Sequence, residues 1–207
     1  MSEAASWIEE VKSFEEALEP AKQRAIDLGV EPGVASYLAS SAAMQRMVFT
    51  HNNRRRLAAG MEMPAYASFE EFVLKHGEVF EAPPEKQPRP KGFRKGRDKG
   101  CFRNSVYAVF EHDDWQYVEG YGVGMIPAHH AWVLDTEGRV VETTWKTSGS
   151  TYFGVQFSEE EWRLTMSLTN VFGVFNEVLM EQPYTPEGYV AALRAALAEK
   201  RKVRVHA

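Results

Sequence analysis

Residues 101–145 read CFRNSVYAVFEHDDWQYVEGYGVGMIPAHHAWVLDTEGRVVETTW, and the fold is decided in this stretch. It begins at the only cysteine of the chain, Cys101, directly after Gly100. Apolar residues then recur at the spacing of one helical face, which predicts a helix with Cys101 in its first turn. The unpaired N–H groups and the positive dipole end at that position favour an anion. They therefore favour the reactive thiolate form of a cysteine over the thiol.

A β-hairpin is predicted further along the same stretch. Residues 131–134 and 139–145 have strand composition and flank the turn sequence Asp-Thr-Glu-Gly at 135–138. A type I turn followed by a left-handed glycine gives a three-residue loop. In that register His130 and Glu142 lie on the same face, one diagonal step apart and within side-chain reach. A two-residue loop would place Glu142 on the opposite face, so the turn chemistry favours the register in which the two side chains meet.

Cys101, His130 and Glu142 together have the pattern of a nucleophilic triad. In such a triad the histidine takes the thiol proton and returns it to the leaving group, while the carboxylate holds the ring in one tautomer. Strand alternation turns the neighbouring His129 to the other face, so we predict that His130 alone serves the thiol. The structural alternative is a buried cysteine that packs as a small apolar residue.

Five short motifs lie between Cys101 and Phe157. They are C-F-R-N-S at 101–105, Y-V-E-G-Y-G at 117–122, H-A-W-V at 130–133, G-R-V-V-E-T-T-W at 138–145 and Y-F-G-V-x-F at 152–157. This set resembles the transglutaminase-like branch of the papain-like cysteine enzymes, and more narrowly bacterial and phage members of that superfamily. The resemblance implies an α+β core, with the cysteine-bearing helix packed on an antiparallel sheet and no cofactor. It also implies that Cys101 is the nucleophile, His130 the base and Glu142 the orienting acid.

The chain departs from that family at two positions. Family members usually have Asp or Asn as the third residue, and the longer arm of Glu142 implies a different way of holding His130. Papain-type enzymes also have an upstream Gln that helps to bind the oxyanion. The nearest one here, Gln87, lies too far back to be equated with it. The backbone N–H of Cys101 is a natural oxyanion donor, and the sequence does not identify a second one.

Other residues near the triad are candidates for ligand binding. We predict that Trp132, Trp145, Tyr152 and Asn104 line a substrate groove, with the alternative that the strand aromatics belong to the core. A metal site is the chemical rival, built from Glu111, His112, Asp113, Asp114 and the two histidines of the hairpin. That spacing matches no metal-ligand pattern, and a solvated helix end explains it more simply. No metal is therefore predicted.

The chain as a whole predicts three parts. Residues 1–82 have helical patterns without strand signals and form an N-terminal helical part. Residues 83–100 form a linker rich in proline, glycine and basic residues. Residues 101–207 form the α+β core and end in a C-terminal helix.

Helix signals are clear in several places. A first helix is predicted over residues 6–28, where Pro20 suggests a break or a second start. Ser68 and Ser158 each precede a Glu by three residues, which predicts helix N-caps. Another helix is predicted from residue 34 to about residue 52, with several larger residues facing inward: Tyr37, Leu38, Met44 and Val48.

The linker carries a strong positive charge. From Lys86 to Lys99 it contains seven basic residues and one acidic residue. With a single aromatic residue for stacking it is a poor nucleic-acid tract, and a solvated loop is the simpler interpretation. Because it leads directly into Cys101, it should also favour the thiolate and attract an acidic substrate.

Composition and charge indicate the cellular compartment and the kinds of partner. The chain has 207 residues, 44% of them hydrophobic, and a net charge of −5, which argues against nucleic acid as the default partner. No apolar run approaches the length of a membrane span, and the N-terminal residues lack the apolar segment of a signal peptide. A single cysteine fits a reducing compartment. A cytoplasmic protein without a membrane partner is predicted.

Two functions are compatible with these patterns. The first is a cysteine hydrolase or acyltransferase that attacks an amide, isopeptide or thioester carbonyl of a peptide- or protein-derived substrate. The second is a non-catalytic interaction protein that keeps the fold and binds a protein or nucleic-acid partner. The reactivity of Cys101 and its dependence on His130 distinguish them. Oligomeric state, and water or an amine as acceptor, stay open.

Overall fold

The computed structural model describes residues 3–83 and 96–205 of the chain. Within these residues the fold is α+β, with seven helices and one five-stranded sheet. The helices are α1 Glu3–Asp27, α2 Pro32–Ala58, α3 Phe69–His76, α4 Cys101–Glu111, α5 Glu159–Thr169, α6 Glu177–Glu181 and α7 Pro186–Val205. The strands are β1 Glu78–Phe80, β2 Gln116–Val123, β3 Pro127–Leu134, β4 Val140–Val141 and β5 Thr151–Phe157, in the order β1-β5-β2-β3-β4.

The chain divides into two compact units. The first comprises residues 1–78 with residues 180–183, and the second comprises residues 79–179 with residues 184–207. The second unit therefore begins before the segment that was predicted to be a linker, because β1 belongs to the sheet. A three-residue strand is too short to give a periodic signal in the sequence. Most of the predicted linker, residues 84–95, lies outside the described residues.

The first unit is helical, and α1 and α2 pack against each other in it. The helix α1 continues through Pro20, so the predicted break at that residue is wrong. Small side chains of α2 make the contact with α1: Ala42 and Ala43 pack around Leu18. The larger residues of α2 predicted to face inward do so in one case only. Leu38 is buried, whereas Tyr37, Met44 and Val48 are exposed.

The sheet of the second unit is built around β2. This strand pairs antiparallel with β3 on one side and with β5 on the other. Gly120 of β2 lies directly opposite Gly154 of β5, and a Cβ on Gly120 would come 2.3 Å from the Gly154 Cα. The two glycines therefore allow a backbone approach that no larger residue permits. Apolar side chains cover one face of the sheet: Val118, Trp132, Leu134, Val140 and Tyr152, with Phe80 and Ala82 packed on them.

The predicted hairpin register is confirmed. Val133 pairs with Val141 across β3 and β4, and the N–H of Asp135 donates to the carbonyl of Arg139 at 3.0 Å. Gly138 has a φ of +74°, the left-handed conformation that a three-residue loop requires. One feature differs from the expectation, because β4 ends at Val141 and does not continue to residue 145.

Both predicted serine caps are also present. The side chain of Ser68 accepts a hydrogen bond from the N–H of Glu71 at the start of α3. Ser158 and Glu161 form a complete capping box at the start of α5. Among the described residues, no helix has the length and apolar character needed to cross a membrane.

The close approach of β2 and β5 gives a testable prediction. We expect Gly120→Ala to lower the free energy of unfolding by about 3 kcal/mol, because the new methyl group meets backbone atoms that cannot move aside. Gly124→Ala is the matched control, since a Cβ there meets nothing within 4 Å and the change should stay within about 0.5 kcal/mol. Urea unfolding of both variants measures this, and equal stabilities would contradict the close strand contact.

Candidate active site

The structure brings Cys101, His130 and Glu142 together in that order. Cys101 is the first residue of α4, which lies against β3, and its half-buried side chain lies close enough to the ring of His130 to raise the pKa of that histidine. The Nε2–H of His130 donates to Oε2 of Glu142 at 2.9 Å. Because Nε2 is occupied in this way, Nδ1 is the ring nitrogen left for the sulfur. His130 is 1% exposed, so this pair is shielded from water.

Glu142 is held by four hydrogen bonds. Its Oε2 also accepts from the hydroxyl of Tyr152 at 2.8 Å. Its Oε1 accepts from the backbone N–H groups of Thr144 at 2.7 Å and Trp145 at 2.9 Å. These last two bonds turn the chain away from β3, which explains why β4 is short. They also show how a Glu is accommodated in place of a shorter acid, since its own following residues fix the carboxylate.

His130 and Glu142 each shift the pKa of the other. Burial lowers the pKa of His130, but the hydrogen bonds with Cys101 and Glu142 and the charges of both partners outweigh it and raise the pKa to about 9. Burial raises the pKa of Glu142, yet the hydrogen bond and charge of His130, with the two backbone donors, hold it below its ordinary value. At neutral pH the geometry therefore favours an imidazolium paired with a carboxylate.

The indole of Trp145 covers the imidazole of His130. The two rings stack with centroids 4.0 Å apart and an angle of 14° between their planes. Glycines make room for the indole, because a Cβ on Gly122 would lie 2.7 Å from its ring and a Cβ on Gly149 3.2 Å from it. This stacking keeps water away from the bond between His130 and Glu142, where a low local dielectric strengthens it.

A second set of hydrogen bonds fixes the start of α4. The side-chain amide of Asn104 donates to the carbonyl of Arg97 and to Oγ1 of Thr144, both at 2.8 Å. The hydroxyls of Ser105 and Thr143 are hydrogen-bonded at 2.9 Å. The first turn of α4 is thereby tied to the two residues that follow Glu142, so Cys101 and Glu142 are positioned by the same segment.

The four residues predicted to line a groove have different environments. Trp132 and Tyr152 are 0% exposed and belong to the apolar core, so the alternative given for strand aromatics describes them. Asn104 is buried as well, with its amide committed to structural hydrogen bonds. Trp145 is partly exposed and keeps access to solvent. Of the four, Trp145 is therefore the residue placed to meet a substrate.

Sequence reasoning missed the roles of Tyr152 and Trp145 toward the triad. Tyr152 bonds Glu142 and Trp145 stacks on His130, and each of these partners is distant in the sequence. A pattern read along the sequence does not show such contacts. One signal was present: the glycines of β2 alternate with larger residues, and Gly122 leaves the space that Trp145 fills. Such a glycine in a strand indicates the close approach of another group.

The three histidines considered for a metal have other partners. His112 stacks on Trp115 with centroids 3.9 Å apart, while His129 and His130 bind separate carboxylates. In the described parts of the chain, no group of three or more His, Cys, Asp or Glu residues could hold a metal ion. The backbone N–H of Cys101 lies in the first turn of α4, where N–H groups have no acceptor within the helix. It is therefore the candidate donor to an oxyanion. Gln87 lies outside the described residues.

No protein-family model, no curated protein and no solved structure matches this chain. The site is therefore interpreted from its own geometry.

The raised pKa of His130 depends on the charge of Glu142. In Glu142→Gln we expect it to fall from about 9 part of the way toward the ordinary value of about 6.5, because burial still disfavours the imidazolium and the carboxylate charge is gone, while Cys101 still favours it. Tyr152→Phe is the control, since it removes one hydrogen bond to Glu142 and keeps the charge. NMR titration of the imidazole measures both variants. A pKa that stays near 9 in Glu142→Gln would show that the carboxylate is not its cause.

The same shift predicts how stability depends on pH. The pKa of His130 in the folded chain, about 9, exceeds the unfolded value of about 6.5, so protonation stabilises the fold. This contribution is complete below about pH 6.5 and is lost as pH rises through about 9. Glu142, with its lowered pKa, acts in the acidic range instead. From about pH 6.5 to about pH 9 we expect the free energy of unfolding to fall in the wild type and to change less in His130→Gln. Urea unfolding across this pH range measures both proteins.

Proposed function

We propose that the protein is a cysteine-dependent hydrolase or acyltransferase that acts on an amide, isopeptide or thioester carbonyl. The observation that carries this proposal is the position of His130, buried between the Cys101 thiol and the Glu142 carboxylate. A buried imidazole that bonds a fully satisfied carboxylate and has a thiol beside it has the arrangement of a nucleophilic triad. A purely structural cysteine requires neither partner.

The proposed reaction has two halves. The sulfur of Cys101 attacks the carbonyl carbon as the thiolate, with its proton held on Nδ1 of His130. The tetrahedral oxyanion is stabilised by the N–H of Cys101 and the dipole of α4, and the amine or thiol leaving group takes the proton from His130 as the C–N or C–S bond breaks. A thioester remains on Cys101. Water or an amine then attacks it and returns a proton to His130, which releases the acid or the new amide and regenerates the thiol.

The core architecture supports the same proposal. A helix that carries the proposed nucleophile at its first residue lies against β3, and β3 carries the histidine, which bonds the acid directly after the following strand. This is the arrangement implied by the resemblance to papain-like and transglutaminase-like enzymes, and we propose that the second unit is a core of that kind. Arg97 and Lys99, exposed just before Cys101, favour an acidic peptide- or protein-derived substrate.

The second candidate is a non-catalytic interaction protein. It is favoured by the exposed side chains of Tyr37, Met44 and Val48 on α2, because apolar side chains grouped on one helix commonly mark a contact surface. An interaction protein would not need the arrangement of Cys101, His130 and Glu142, and this candidate does not explain it. The two candidates differ in the expected behaviour of the thiol.

Thiol reactivity tests the proposal directly. We expect iodoacetamide to alkylate Cys101 faster at neutral pH than an ordinary exposed thiol, because the imidazolium of His130 beside it favours the attacking sulfur anion. His130→Ala should slow this reaction roughly a hundredfold. His112→Ala is the matched control, since that ring stacks on Trp115 and should not affect the rate. A slow wild-type rate that is the same in His130→Ala would favour the interaction protein.

The substrate can be sought with the same cysteine. Wild-type protein incubated with cell extract should accumulate an acyl adduct on Cys101 that hydroxylamine removes, as a thioester requires. Cys101→Ala is the control and also the trap, since it should retain uncleaved substrate. Mass spectrometry of the two samples identifies the acyl donor. Failure to find any adduct, together with a slow thiol, would contradict the proposal.

A further inference from the structure

A second histidine–carboxylate pair lies on the face of β3 opposite His130. Glu119, on β2, is 1% exposed, and its Oε1 accepts a hydrogen bond from Nε2–H of His129 at 3.0 Å. Its Oε2 accepts from the hydroxyl of Tyr117 at 3.0 Å and from the backbone N–H of Val174 at 2.6 Å. We call Glu119, His129, Tyr117 and Val174 the Glu119 cluster. One carboxylate thus joins two strands to the turn that precedes α6.

The Glu119 cluster contacts the residue next to the nucleophile. The ring of His129 meets Phe102 edge to face, with centroids 4.9 Å apart and an angle of 70°. On the other side, a Cβ on Gly173 would lie 3.7 Å from the Phe102 ring and 3.6 Å from Oε2 of Glu119. Gly173 has a φ of +116°, which other residues rarely adopt. Phe102, which is half-buried, therefore packs between two groups that are tied to the same carboxylate.

The charge on Glu119 gives this arrangement its strength. A buried carboxylate is unfavourable unless several donors are directed at it, and bonds to an ionised acceptor are about twice as strong as neutral ones. Burial and the charge of Glu119 raise the pKa of Tyr117 well above its ordinary value, so that hydroxyl stays a donor. Loss of the charge would weaken all three bonds together and loosen the enclosure of Phe102.

The first turn of α4 is held from two sides. The bonds of Asn104 and Ser105 to the segment after β4 hold one side, and Phe102 in its enclosure holds the other. Cys101 directly precedes both attachments in the chain, in the same first turn of α4. If the Phe102 side is released, the first turn can pivot about the remaining hydrogen bonds, and the sulfur moves relative to His130.

We propose that Glu119 is a positioning residue for Cys101. Through His129 and the turn at Gly173 it fixes Phe102, and thereby the first turn of α4, in the place where the sulfur meets His130. This inference rests on the proposed function, since it concerns the geometry of the nucleophile. It gives the consecutive histidines of β3 separate tasks, because His130 serves the thiol and His129 serves the helix that carries it.

Glu119→Gln tests the inference, with Glu161→Gln as the matched control. Glu161 is also 1% exposed and accepts hydrogen bonds from a tyrosine hydroxyl, that of Tyr184, and from a backbone N–H, that of Ser158. It lies beside Trp162, whose ring packs on Phe110 near the opposite end of α4 from Cys101. Both variants therefore lose a buried charge of the same kind, at different ends of one helix.

The measurement is the rate of Cys101 alkylation by iodoacetamide across a pH series, at a temperature where circular dichroism shows each variant folded. We expect Glu119→Gln to react roughly tenfold more slowly or worse, with a pH profile that approaches that of His130→Ala. Glu161→Gln should stay within about twofold of the wild type, since reactivity depends on the placement of the first turn of α4. If Glu119→Gln does not fold, His129→Gln replaces it, because it keeps a donor for Glu119 and removes the ring that contacts Phe102.

The outcomes distinguish a failure of the positioning role of Glu119 from a failure of the proposed function. A folded Glu119→Gln that reacts at the wild-type rate overturns the positioning role, and so does an equal loss of rate in Glu161→Gln, which would indicate general loosening. The wild type and His130→Ala are measured alongside. If the wild-type rate does not depend on His130, the proposed function itself fails. If it does depend on His130 and Glu119→Gln is unaffected, the positioning role alone is wrong.

Discussion

The hydrogen bond between Nε2–H of His130 and Oε2 of Glu142 is the interaction on which the site depends. It exists because the turn at 135–138 has three residues in its loop, which places both side chains on one face of the hairpin. A shift of one residue would separate them, since neighbouring strand residues point to opposite faces. The left-handed conformation of Gly138 is therefore a condition for the buried hydrogen bond between His130 and Glu142.

The segment after β4 links this hairpin to the helix of the nucleophile. Thr144 donates its backbone N–H to Glu142 and accepts from Asn104 with its hydroxyl, while Trp145 donates to Glu142 and covers His130. A few consecutive residues thus complete the carboxylate, shield the imidazole and anchor the first turn of α4. Such shared supports keep side chains in fixed relative positions, which the proposed acyl transfer would require.

The hairpin, its register, the placement of Cys101 and the serine caps were predictable because short-range rules of turn and cap chemistry determine them. The end of β4 was not, because it depends on a side chain that bonds the backbone just after it. The inner face of α2 was not predictable either, since alanines pack against α1 while larger residues such as Met44 face outward. Hydrophobic periodicity assumes that large apolar residues lie inside, and a close helix pair reverses that assumption.

The N-terminus of α4 differs from those of α3 and α5. Ser68 and Ser158 each close the first turn of their helix with a side-chain oxygen, whereas Gly100 offers none and the first turn of α4 contains no acid. In the function proposed above, the amide protons at this end of α4 are the ones that an oxyanion would meet. A Ser or Asp at position 100 would stabilise the helix and compete for the same amide protons. Under that proposal, thermostability and turnover would oppose each other at a single backbone position.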